Sequence, residues 1–182
     1  CRLLPVFQYS EHAFDADQIA GQKITVDSSK SGEVFVSFDK SEIVLTGEEL
    51  MIRDGERSVA LAGVVGGLNT GVTEKTKNIF LESAYFTAAS VRKTSRKFGI
   101  ETDSGYRFSR GVDPEGVLLA QNRAAEMVST LAGGEILGDV YDVYPERLEK
   151  KEVQVALDFV SQQLALEIKP EDFIERIKKI GC

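Results

Sequence analysis

VALAGVVGGLNTGVTEKTKNIFLESAYFTAASVRKTSRKFGIETDSGYRFSRGVDP, residues 59–114, is the stretch around which the chain is organised. An apolar run ends at Gly66-Gly67, a second apolar run carries one carboxylate, Glu82, and a basic segment precedes a Thr-Asp-Ser-Gly turn and an arginine-rich run. Residues 58–65 hardly alternate, which predicts a strand buried on both faces. Two readings of Gly66-Gly67 stand. The pair lets backbone N–H groups approach a ligand without Cβ obstruction, or it forms a bulge or tight turn. Residues 78–86 predict the next strand, with Glu82 on the face shared by Phe80 and Ala84. An unpaired buried carboxylate is costly, so Glu82 must sit at an edge, have a partner, or line a cavity. Thr87 is a fitting N-cap for a helix reaching Phe98, and Gly99 a fitting residue just beyond its end. Arg92, Lys93, Arg96 and Lys97 then share one wide face, which suits either a solvated surface or a local polyanion contact. Asp103, between Thr102 and Ser104, suits capping of its own turn. Arg107 and Arg110 suit either an ion-pair belt or phosphate binding.

Working outward, residues 23–54 contain KITVD, EVFVSFD, EIVLTG and ELMIRDG, alternating runs separated by Ser, Gly and Asp turns. They predict strands, with a hairpin turn at Asp54-Gly55. Before them, Phe14 and Ile19 are the expected core anchors. After residue 112, Asp113-Pro114-Glu115 is a strong helix start. Val117, Leu118, Ala120, Ala124, Met127, Val128 and Leu131 give a helical stripe expected to pack into the core, ended by Gly133-Gly134. Residues 135–144 predict a further strand and residues 145–151 a polar linker. Beyond it come a short strand, a helix around Asp158 to Leu164, and a second helix from Pro170 with Phe173, Ile174, Ile177 and Ile180 on one face. The expected class is α+β, with mixed or antiparallel sheets packed against a few helices and a short α/β segment at the end. The expected domains are residues 1–145 and 153–182, joined by 146–152.

With 182 residues, 42% of them hydrophobic, the chain can bury a core. Its net charge of -7 argues against a free-standing nucleic-acid binder, so any RNA contact is local. Cys1 and Cys182 suggest neither a disulfide framework nor metal spacing. No apolar run is long enough to span a bilayer, and the default expectation is a cytosolic protein with no membrane contact. CxxC, HExxH and GxSxG patterns are absent, and one histidine, His12, cannot supply a metal cluster. Such a chain suits a reaction that asks little of side chains. Hydrolysis of an activated ester needs mainly a held substrate, a placed water and N–H dipoles at the developing oxyanion.

In order and spacing, His12-Ala13-Phe14-Asp15, residues 61–67 (LAGVVGG), Gly71-Val72-Thr73, residues 81–86 (LESAYF), Thr102-Asp103, Tyr106-Arg107-Phe108 and residues 110–114 (RGVDP) resemble the central editing (B3/B4) module of the bacterial phenylalanyl-tRNA synthetase beta subunit family. The likeness covers roughly residues 11 to 145, and the tail from Val153 is similar to the start of the family's B5 domain. The resemblance implies hydrolysis of tyrosine wrongly esterified to the phenylalanine tRNA. It places Glu82 as reader of the tyrosyl hydroxyl and His12, Gly66, Thr102 and Ser104 in the substrate pocket, with Thr102 and Gly66 positioning water and no general base assigned. Ser104 stands where the family often has Ala, and Ser10 where its lead-in has Pro. The family's site also includes an upstream arginine, so the fragment alone is expected to be inactive. For the parent enzyme the resemblance implies ATP and Mg, the acceptor end of the phenylalanine tRNA, an alpha subunit and a heterotetramer. No cofactor is expected in this fragment. The alternatives are a non-catalytic tRNA- or subunit-interface module using Arg92, Lys93, Arg96 and Lys97, and a free-standing hydrolase of other aminoacyl esters.

Overall fold

In the computed structural model, which describes residues 11–137, 140–149 and 152–181, every strand pairing among the described residues is antiparallel. Together with the helices this makes the fold α+β. Cys1 and Cys182 lie outside the described residues, as does Ser10. Contacts divide the chain into two units, Cys1–Val140 and Tyr141–Cys182.

In the first unit, a four-stranded sheet has the order β2 (Thr25–Ser28), β5 (Leu50–Arg53), β6 (Ser58–Leu61), β7 (Val65–Gly66). β3 (Val34–Val36) and β4 (Glu42–Val44) form one two-stranded ribbon, and β1 (His12–Asp15) and β8 (Ile79–Glu82) another. The expected hairpin at Asp54-Gly55 joins β5 to β6. The buried Asp54 carboxylate holds it by accepting from the N–H groups of Glu56 and Arg57 at 2.8 Å each and from that of Ala20 at 3.1 Å.

Two apolar runs are shorter as strands than their sequence predicts. Residues 58–65 do not continue as one strand: the chain folds back at Gly63, whose φ of 68° suits glycine, so β6 and β7 pair with Ala60 opposite Gly66. Gly63 also lies against Phe86 and Val91, where a Cβ would come within 2.8 Å of the phenyl ring. The run from Asn78 keeps ladder geometry only through Glu82.

α1 (Ala88–Phe98) follows Thr87 at the N-cap position, although the Thr87 hydroxyl makes no capping bond, and Gly99 ends it in the left-handed conformation. The Thr-Asp-Ser-Gly segment is more than a turn. It opens α2 (Asp103–Phe108), with the Thr102 hydroxyl accepting from Gly105 N–H at 2.9 Å. Phe14, Met51, Val59, Leu61, Val91 and Phe108 are fully enclosed and form the centre of the core, and Ile19 is buried as expected.

After Asp113 caps a short turn, α3 (Val117–Ala132) leans on β8: Ser83 donates to Val117 O at 3.1 Å and Gln121 to Leu81 O at 3.4 Å. Its expected core stripe is only one residue deep. Ala120 is buried, while Leu118, Met127, Val128 and Leu131 are exposed, Leu131 by 80%. Val117 and Ala124 are half-buried, and the helix is tied to β8 and the residue after it rather than packed into the central core. Residues 135–137 and 140–144 form no strand, contrary to expectation, and their side chains are exposed except for half-buried Tyr144.

The second unit holds α4 (Leu157–Leu164) and α5 (Pro170–Lys179), both where the sequence places them. Residues 152–156 form no strand. Phe173 and Ile177 of the apolar face are half-buried, Ile174 and Ile180 are exposed, and no described residue of this unit is fully buried. So few residues cannot enclose a core.

Candidate functional site

β1 and β8 bring together two residues 70 positions apart, because His12 lies directly opposite Glu82 in their ladder and Phe14 opposite Phe80. Cross-strand partners share a face, so His12, Glu82 and two phenyl rings lie on one side of the ribbon. The His12 and Phe14 rings are 4.3 Å apart and the Phe14 and Phe80 rings 6.3 Å. That face borders a cleft of about 520 Å³, which Gly66, Thr102 and Ser104 also line. All five sequence-expected substrate residues therefore meet around one cavity.

Glu82 ends β8, opposite His12 and on the face of Phe80. Its Oε2 is enclosed and accepts no hydrogen bond from any described group, and burial pushes its carboxyl up to about 7. At neutral pH Glu82 is thus close to its titration midpoint. His12 is shifted the other way. Burial lowers its imidazole below the usual range, which leaves it neutral at pH 7.

The glycine pair has a spatial reason. A Cβ on Gly66 would lie 2.3 Å from His12 Cε1 and 2.9 Å from Nε2, so the imidazole occupies the space a side chain at 66 would take. A Cβ on Gly67 would lie 2.6 Å from Val59 O, the carbonyl that Gly67 N–H donates to at 2.8 Å. The Gly67 amide is therefore engaged in the sheet and is not offered to a ligand.

Thr102 and Ser104 fasten α2 to the β6–β7 turn. Thr102 donates its hydroxyl proton to Val64 O at 2.6 Å, and Ser104 donates to Gly63 O at 3.1 Å. With its proton committed and one lone pair taken by Gly105 N–H, Thr102 has a single acceptor position left. It can hold a water only by accepting a hydrogen bond from it.

The basic face of α1 lies outside the cleft lining. Lys93 pairs with Glu48 at 3.2 Å, Lys97 with Glu49 at 2.6 Å, and Arg92 donates to Ser109 O, while Arg96 is exposed. Arg110 stacks over the Tyr106 ring, 3.3 Å from its centroid, and donates to Tyr106 O at 3.0 Å. Arg107 acts electrostatically on Glu11. Among the described residues no group of three His, Cys, Asp or Glu converges to hold a metal ion, and no helix is long and apolar enough to cross a membrane.

A family model described as the B3/4 domain matches residues 6–133. The chain is 50% identical over 171 residues to the phenylalanine–tRNA ligase beta subunit of Bdellovibrio bacteriovorus, a match covering 94% of this chain and 21% of that protein. It is 43% identical over 161 residues to the subunit of the same name from Geobacter metallireducens, covering 88% of this chain and 20% of that one. The counterpart from Thermotoga maritima is 39% identical over 168 residues, covering 92% and 21%. The chain thus spans about a fifth of the length of these relatives. A match over most of the first unit, in the residues that build the cleft, places the chain in the B3/4 domain family.

Proposed function

We propose that the cleft hydrolyses tyrosine wrongly esterified to the phenylalanine tRNA, as the editing site of a longer phenylalanine–tRNA ligase beta subunit. The observation that carries this reading is Glu82, an enclosed carboxylate with an unpartnered oxygen on an otherwise aromatic face. A phenol hydroxyl reaching that oxygen supplies the missing hydrogen bond, whereas a phenyl ring leaves it unmet. The need is physical, because a hydrophobic pocket rejects an isostere with an added hydroxyl by only about 100-fold. A second site that selects for the hydroxyl through a charged acceptor adds roughly 10- to 150-fold.

In the reaction, water oxygen bonds to the ester carbonyl carbon and the carbonyl carries the transient negative charge. The bond to the ribose oxygen then breaks, that oxygen takes a proton, and free tyrosine departs. His12 and Gly66 shape the tyrosyl side of the cleft, and Thr102 accepts from the water. Ser104 holds the wall through Gly63. No side chain is assigned as general base.

ATP and Mg serve ligation, which we assign to parts of the enzyme outside this chain. The described residues offer them no metal cluster, and no step here uses them. The longer protein acts, in this reading, with an alpha subunit in a heterotetramer in the cytoplasm. On α1, Arg92, Lys93, Arg96 and Lys97, all exposed, are the candidates for contact with the tRNA.

The test is Glu82→Ala in the complete enzyme, read as release of tyrosine from tyrosyl-tRNA. Deacylation should fall about 10- to 150-fold while attachment of phenylalanine persists. Unchanged deacylation overturns the role of Glu82 and with it this reading of the cleft.

A further inference from the structure

Among the described aromatic side chains lining the cleft, Phe86 and Phe108 are buried in the core, and His12 lies beside Gly66. Phe38 is different: it lines the same cleft yet is 64% exposed. At the open side of a cavity, an exposed phenyl ring offers its face to a group bound there.

Phe38 is also held in place. It sits in the tight connection between β3 and β4, where Ser37 N–H donates to Ser41 O at 3.0 Å and Lys40 N–H to Ser37 O at 2.8 Å. The Ser37 hydroxyl donates to Asp39 at 2.5 Å. Ser37 bridges to Gly67, and Phe38 N–H donates to Gly66 O at 2.9 Å, so the hairpin tip is fastened to the strand that forms the cleft wall. On one side the ring lies over Gly71, where a Cβ would sit 3.5 Å from its Cδ2 and Cε2. Much of the rest faces solvent.

We propose that Phe38 is a stacking platform for the terminal nucleobase of the aminoacylated RNA. The proposal rests on the ester-hydrolase reading of the cleft. If the tyrosyl ring reaches inward to Glu82, the ribose and its base, on the far side of the ester, are left toward the open side where Phe38 lies. RNA ends are recognised by unstacking bases onto aromatic rings, and a backbone already fastened to the cleft wall leaves only the side chain to be ordered on binding. The platform reads a π-face and therefore supplies affinity and orientation, while Glu82 supplies the choice of amino acid.

The experiment compares two small esters on the full-length synthetase, tyrosyl-adenosine and tyrosine methyl ester, with Phe38→Ala, Phe38→Leu and Phe38→Trp. The preference for the nucleoside ester over the methyl ester, measured as the ratio of kcat/KM, should fall about 5- to 150-fold in Phe38→Ala. It should fall comparably in Phe38→Leu, which keeps apolar bulk without an aromatic face, and be kept in Phe38→Trp, with KM moving more than kcat. An unchanged ratio in the Ala and Leu variants overturns the proposal, as does an equal loss on both esters, which would mean that Phe38 packs against another part of the enzyme. Glu82→Ala separates the two claims, because both esters carry the phenol and both should slow. Loss on both with Glu82→Ala, but no change of ratio at Phe38, sinks the platform alone. No effect of Glu82→Ala on either ester sinks the reading of the cleft.

Discussion

At the scale of single residues, Glu82 and His12 are set by one neighbourhood that disfavours charge on both. Burial raises the carboxyl of Glu82 to about 7 and lowers the imidazole of His12. A raised carboxyl contributes stability that is fully present below its ordinary value of 4.5 and is lost as pH rises through about 7. Two consequences can be read in one variant, Glu82→Gln. Its melting temperature should gain on the parent protein above pH 7 and lose that gain below pH 5. The parent's preference for tyrosyl over phenylalanyl esters should grow as pH rises through about 7, because only the ionised carboxylate gives a charge-assisted acceptor. The variant's preference should be flat, and a parallel rise in both would show that another group titrates. Alternation put Glu82 on a face with Phe80 and left edge, partner and cavity open; the family resemblance singled it out as the hydroxyl reader. The sequence was silent on Phe38, since an alternating strand end with one more aromatic looks like any half-buried strand. What places that ring at the cleft is the bridge from the neighbouring Ser37 to Gly67, 30 positions away.

At the scale of elements, α1 is fastened through a buried acid. Glu49 is only 1% exposed and accepts from Ser29 at 2.6 Å, from Thr46 N–H at 2.9 Å, from the Thr46 hydroxyl at 2.8 Å and from Lys97 at 2.6 Å. Burial pushes its carboxyl up, but these donors together outweigh burial and hold it well below the usual carboxylate range. Glu49→Ala should lower stability by about 1–3 kcal/mol, because it strands the buried Ser29 hydroxyl and removes a charged acceptor from Thr46 and Lys97. Measured as denaturant midpoints, the deficit should be full at pH 7 and shrink as pH falls below about 4, where the parent loses the contribution of its ionised carboxylate. A deficit independent of pH would assign the loss to packing. The boundaries of α1 were legible from Gly99 and the residues after Thr87. Its basic face suited either a solvated surface or a polyanion contact, because the partners Glu48 and Glu49 belong to the loop before β5 and helix periodicity carries no information about them. The same limit explains β6 and β7: an unbroken apolar run reads as one strand, and only the packing of Gly63 against Phe86 and Val91 shows the fold-back.

At the scale of the whole molecule, the distribution of burial is uneven. β5 and β6 carry residues enclosed on all sides, whereas the unit containing α4 and α5 encloses none of its described side chains. Amide hydrogen exchange on this chain should therefore protect residues 50–61 most strongly and leave residues 157–179 exchanging near the rate of local helix fraying. Equal protection would mean that the second unit has a core of its own. The antiparallel class was legible from alternating runs and turn residues in residues 23–54. The helix positions in residues 157–179 were legible from Pro170 and apolar spacing. Burial of the α3 stripe was not, because a periodic apolar face states that a surface wants a cover without naming one. Here Ala120 is buried, Val117 and Ala124 are half-buried, and the rest of the stripe is exposed.

The fit between the imidazole of His12 and the bare backbone of Gly66 has a consequence for how this protein can change over time. The two positions are 54 apart in sequence but share one small volume. A side chain gained at 66 while histidine remains at 12 displaces the ring, whereas a smaller residue at 12 opens room for a later change at 66. Substitution in one order passes through a crowded intermediate and in the other through a hollow one. The pair is thus an epistatic ratchet within the cleft: histidine at 12 keeps glycine at 66 in place.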